Sequence, residues 1–118
     1  MENAFLSMRK FLTRKCMETP PSASDNTDIQ KVETLITLTT GISIEDIRGK
    51  KRQWEIVYAR HLKWWLLYRW KEWSSVNIAN RDKVDHATIL NAVKQFENYR
   101  QFPRVKAQSD QILARLRE

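Results

Sequence analysis

The chain has 118 residues, room for one domain with a modest core, and its 21 basic and 14 acidic residues leave a formal charge of +7. A single cysteine, Cys16, excludes an intramolecular disulfide and any cysteine-based zinc site, and only two glycines leave nothing to build a GxxxxGK[ST] or GxGxxG phosphate loop. The longest apolar run, Trp64–Tyr68, is far too short to span a membrane. No cofactor, nucleotide, metal or membrane partner is therefore expected, and a reducing, cytoplasmic setting is.

The opening segment MENAFLSMRKFLTRK spaces Phe5, Leu6, Met8, Phe11 and Leu12 as a short helix, without the apolar core of a secretory signal. Met17–Asp28, with two prolines and small polar residues, reads as a linker, so residues 1–26 are expected to precede a domain over 27–118. Asp28 or Thr27 is the expected N-cap of a helix carrying Ile29, Val32, Leu35 and Ile36, with Gly41 ending it. Ser43 and Asp46 form a capping-box variant for one short turn.

A long helix then runs from Lys50–Arg52 to about Trp73. One apolar face collects Tyr58, Ala59, Leu62, Trp65, Leu66, Trp70 and Trp73, and a second arc holds Val57, Trp64, Leu67 and Tyr68. A helix apolar nearly all round is buried on two sides, by this chain or by a partner. Trp64 and Tyr68 are the candidates for such an interface, with residues 5–12, a second copy or another protein. Ser74 caps a short helix over Ser75–Asn80, a polar turn follows, and VDHATILNAVKQF forms a helix with buried stripe Ile89, Ala92, Val93 and Phe96. Pro103 breaks it, and a last helix offers Val105, Ile112, Leu113 and Leu116. The result is an all-α domain with a helix-turn-helix outline at its centre.

Residues 1–28 carry four basic and four acidic residues, so the whole charge excess lies in Ile29–Glu118. Arg48, Lys50, Lys51, Arg52, Arg60 and Lys63 cluster around one acid, Glu55, as a candidate polyanion footprint or simply a solvated basic face. Asp85 and His86 could be taken for an acid–base pair. Neighbours on a helix diverge by about 100°, however, and His61 lies on another helix, so catalysis is not expected. Asp85 instead suits an N-cap. Asp85, His86, Ala87, Thr88 and Asn91 all lie off the buried stripe, where a groove-docking helix meets base edges and phosphates.

GISIEDIRGKKRQWEIVYARHLKWWLL followed by SSVNIANRDKVDHATILNAVKQF is similar to the C-terminal DNA-binding domain of the bacterial replication initiator DnaA family. The resemblance covers roughly residues 27–118. It rests on the basic GKKR loop, the AR pair in the long helix, and DHATILNA, which resembles the family signature RDHTTVLHA. It implies a compact helical bundle whose helix-turn-helix reads a short AT-rich box in double-stranded DNA. By position, Arg52 would enter the minor groove, Lys50 would lie on the backbone beside it, with Lys51 in the same DNA-binding loop, and Arg60 would bind phosphate. Asp85, His86 and Ala87 would face bases, with Thr88 on phosphate.

The sequence departs from the family at Val84, where an arginine is usual, at Ala87, where a threonine is, and in the turn Asn80–Lys83, where the family favours glycines. Arg81 and Lys83 are the candidates to replace the lost charge. No ATPase module accompanies the domain, so the expected role is a replication accessory factor or DNA-binding regulator, associated with the nucleoid. The competing expectation is an interaction module that keeps the fold and has lost sequence reading.

Overall fold

The computed structural model describes residues 23–118; the expected helix over 1–15, Cys16, and the proline-containing part of the linker lie outside the described residues. Six helices follow in order: α1 (Ala23–Thr40), α2 (Ile44–Arg48), α3 (Trp54–Trp70), α4 (Ser75–Asp82), α5 (His86–Tyr99) and α6 (Pro103–Leu116). Helix α3 is the hub, and each of the other five packs on it.

Helix α1 starts at Ala23, inside the expected linker, rather than after Asp28. Tertiary contacts account for the extension. Asp25 lies 3.1 Å from Arg81 of α4, and Asp28 lies 2.9 Å from Lys71 just beyond α3. Asp25 also sits in the first turn, where the macrodipole favours negative charge. At the other end Thr39 and Thr40 donate their hydroxyls back to Leu35 and Ile36 carbonyls, and Gly41 takes the left-handed conformation at φ 80° that closes the helix. Ser43 caps α2 by accepting from the Asp46 amide.

The core is built on α3. Trp65, Phe96, Leu62, Leu66, Ile36, Ile47, Ile78, Ile89 and Ile112 are sealed from water, each apolar side chain stabilising by about 1.5–3 kcal/mol. Trp65 packs on Phe96 at 5.2 Å between ring centres and donates its Nε1–H to Glu97, which satisfies the indole inside the core. The second apolar arc is covered from within the chain. Trp64 is 4% exposed and donates its indole N–H to Asp82 at the end of α4, and Leu67 is buried too. Trp64 is therefore a core residue and not an interface candidate, while Tyr68 stays exposed. Helix α3 ends three residues before the expected Trp73, because Glu72 turns the chain at φ 56°. Trp73 still packs on the core, with the Arg81 guanidinium 4.4 Å over its ring.

An ionic network centred on the buried Glu33 and Lys63 ties the first four helices together. Arg48 of α2 donates from Nε and Nη2 to the two oxygens of Glu33 at 2.8 and 2.6 Å, a bidentate pair. Lys63 of α3 lies 3.1 Å from Glu33 and 3.3 Å from Asp82 of α4. Glu33 and Lys63 are both inaccessible to water. Burial alone would raise the Glu33 carboxyl, but the Arg48 bonds and the Lys63 ammonium overcome it and hold the group below the ordinary carboxylate value. Of the six cations counted in the basic cluster, Lys63 thus serves the interior, and Arg48, though half-exposed, is committed to Glu33.

Candidate nucleic-acid interface

The helix-turn-helix is made by α4, a turn and α5. Ser74 caps α4 by accepting from the Asn77 amide. Lys83 closes it in the left-handed conformation, φ 58° and ψ 46°, and the Lys83 and Val84 amides both bond to the Ala79 carbonyl. That is the backbone shape for which glycine is usual, so the turn keeps its geometry with lysine carrying the strain. Asp85 then caps α5, its Oδ1 accepting from the Ala87 amide at 3.4 Å. Ile89, Ala92, Val93 and Phe96 bury one side of α5, and Asp85, His86, Ala87, Thr88, Leu90 and Asn91 are exposed on the rest of its first turns.

The basic loop between α2 and α3 is held by Arg60. Its Nε donates to the Ile47 carbonyl at 3.0 Å, Nη2 to Asp46 at 3.1 Å and Nη1 to Lys51 at 3.2 Å. The fork satisfies the open carbonyls at the end of α2 and pins the loop backbone to α3. Burial lowers the Arg60 pKa, and the nearby Asp82 carboxylate partly opposes the shift. Lys51 pairs with Asp46 across 3.1 Å in the open, a contact solvent keeps weak. Lys50 and Arg52 are exposed and have no ion-pair partner among the described residues.

One stripe of α3 anchors both parts. Arg60 holds the basic loop, and Trp64, one turn further on, holds Asp82, which lies three residues before Asp85. Residues four apart on a helix are surface neighbours separated by about 6 Å along the axis. The loop and the start of α5 are thereby fixed to adjacent points on one rigid element. His61 between them stacks on Trp64 with ring centres 6.0 Å apart. Burial, with Arg60 nearby, lowers its pKa.

The structure bears on three expectations. Arg81 does not replace the lost surface charge. It is 10% exposed, paired with Asp25, bonded to Asn77 and stacked on Trp73, so it joins α4 to α1. Arg60, assigned to phosphate by resemblance, commits three of its N–H groups to carbonyls of its own chain. Asp85 and His86 do approach each other, Oδ1 to Nδ1 at 3.4 Å. The expected divergence applies inside a helix, whereas Asp85 sits before it with extended backbone at ψ 141°. Both groups stand in water.

Sequence reasoning passed over Leu90, 47% exposed one turn beyond His86, because an apolar residue in a helical pattern is read as core. Lys63 was counted in the basic cluster for the converse reason, and the buried Glu33 drew no notice. Among the described residues no cluster could hold a metal ion, and no helix is long and apolar enough to cross a membrane.

No curated protein matches the chain. The family profile of the bacterial dnaA protein helix-turn-helix matches residues 29–95, more than half of the sequence. That span contains the basic loop, all of α3, the turn and the exposed start of α5. The chain belongs to the bacterial DnaA helix-turn-helix family, a family of non-catalytic domains that bind double-stranded DNA.

Proposed function

We propose that the chain reads a short, AT-rich duplex site, with the start of α5 in the major groove and the basic loop on the adjoining minor groove, as a replication accessory factor or DNA-binding regulator. The observation that carries this reading is the pairing of two exposed elements on one stripe of α3. The first turns of α5 present polar side chains with their helix locked by its buried stripe, and the loop presents Lys50 and Arg52 uncompensated.

The chemistry of each side chain fits a groove role. Asp85 uses Oδ1 for its cap, leaving Oδ2 to accept from a cytosine amino group. His86 turns Nδ1 toward Asp85 and leaves Nε2 for a base edge. Ala87 and Leu90 offer apolar contact to thymine methyls, and Thr88 and Asn91 offer hydrogen bonds to phosphate or base. Arg52 suits a narrow AT-rich minor groove, Lys50, Lys51 and Lys83 the backbone, and Arg60 supports the loop from behind.

The competing reading, an interaction module, rests on Val84, Ala87, the altered turn and the second apolar arc of α3. Burial of Trp64 and Leu67 weakens the last of these grounds and leaves the other three. Tyr68, 37% exposed, remains the candidate contact for a second copy or another protein. A randomised-duplex selection at near-physiological salt tests the proposal, with the Asp85→Ala/His86→Ala double variant in parallel. An enriched motif that the double variant loses is the expected outcome. Binding without enrichment, abolished by salt, would overturn sequence reading.

A further inference from the structure

The five tryptophans do not share one fate. Trp64 and Trp65 are buried, the first stacked on His61 and the second beneath Arg100 at 4.7 Å. Trp70 carries the Lys71 ammonium 5.0 Å over its ring, and Trp73 carries Arg81. Trp54 is 73% exposed, with no ring or cation partner among the described residues. Tryptophan is the costliest side chain to leave in water and seldom stands so far out. Its position is not arbitrary. It is the first residue of α3, held by the helix and by its extended cap Gln53, and it stands two residues after Arg52.

The surroundings say what would cover it. Lys50 and Arg52, both exposed and without an ion-pair partner among the described residues, precede it on a loop whose backbone Arg60 fixes. Glu55 follows, but successive helical side chains point about 100° apart. A rigid indole beside two unpaired cations matches a ligand that is at once polyanionic and rich in flat or apolar surface. An acidic protein surface meets the first requirement, but its apolar patches stand in no fixed register with its charges. Nucleic acid meets both, through phosphates, deoxyribose faces and bases.

We infer that Trp54 is a DNA-contacting residue, its indole lying against the deoxyribose wall and base edges of duplex DNA at the minor-groove rim beside Arg52. This rests on the DNA-binding reading above. The contact is apolar and displaces no counterion, so its signature differs from that of the lysines and arginines. Because it comes from a fixed helix start, it sets how far Arg52 reaches into the groove.

The test uses the full chain, an AT-rich duplex and one of its strands alone, with affinity measured over a range of salt. Trp54→Ala should weaken duplex binding by about tenfold while leaving the salt slope unchanged, and Trp54→Phe should restore most of it. Arg52→Ala should lower the slope by about one. Acrylamide quenching of wild-type fluorescence, dominated by the one exposed indole, should fall when duplex saturates the protein. Duplex affinity of Trp54→Ala within about twofold of wild type, with Arg52→Ala impaired, would overturn the inference and leave DNA binding standing. A loss confined to the single strand would overturn it too, by placing the indole on unpaired bases. Absence of duplex binding by wild type would overturn both readings. Unchanged melting temperatures, expected for so exposed a side chain, exclude misfolding as the cause.

Discussion

Replacing Arg60 by alanine tests the claim that the basic loop is held from behind. The side chain makes three bonds to carbonyls: those to Ile47 and Asp46 are part-buried, and the one to Lys51 is exposed. Counting about 1 kcal/mol for each part-buried bond and nothing for the exposed one, Arg60→Ala should cost about 2 kcal/mol. Against a total stability of order 5–15 kcal/mol the protein stays folded. Urea denaturation reads the loss, and amide exchange at Lys50–Gln53 should accelerate while the α3 core is unaffected. Affinity should fall on every duplex alike, since the loop is loosened without removal of a base contact. Arg60→Lys should rescue neither property, because one ammonium cannot reach three carbonyls that a guanidinium fork spans. A direct phosphate contact predicts the opposite, near-normal stability and affinity with lysine. That result, or a stability change below about 0.5 kcal/mol for alanine, would refute the loop-holding argument.

Three further perturbations address the scaffold. Glu33 has a folded-state pKa below its ordinary value, so its contribution is complete above the unfolded pKa near 4.3 and disappears as pH falls through the folded one. Urea midpoints measured across the acid range should show that decline in wild type. In Glu33→Gln it should be smaller, with a loss of about 3 kcal/mol at neutral pH, chiefly because the buried Lys63 ammonium is left with Asp82 alone. His61 is held neutral by burial with Nδ1 unpartnered, so stability should be full above about pH 6.5 and fall below it as the unfolded state takes the proton; His61→Leu should flatten that slope. Lys83→Gly should raise stability by about 1 kcal/mol, read from the melting temperature, because glycine adopts the left-handed turn without Cβ strain. A decrease would mean that the lysine side chain contributes more than the strain costs.

What the sequence determined by itself was whatever depends on neighbours along the chain. The helical spacing of Ile89, Ala92, Val93 and Phe96 placed α5 and its buried side, and Ser43, Ser74 and Asp85 marked three helix starts that the structure keeps. The all-α class and the helix-turn-helix outline follow from those local signals, and the order of GKKR, AR and DHATILNA pointed to the family. What tertiary structure decided was the fate of each charge and each tryptophan. Glu33 and Lys63 are buried because they meet each other and Asp82; Arg60 and Arg81 turn inward because carbonyls and carboxylates from other helices wait there. Trp64 is core and Trp54 is bare, although both are indoles on one helix. Such outcomes depend on groups distant in sequence and brought close by packing. No local period encodes them, since a basic residue seeking a partner and one awaiting a phosphate have the same side chain.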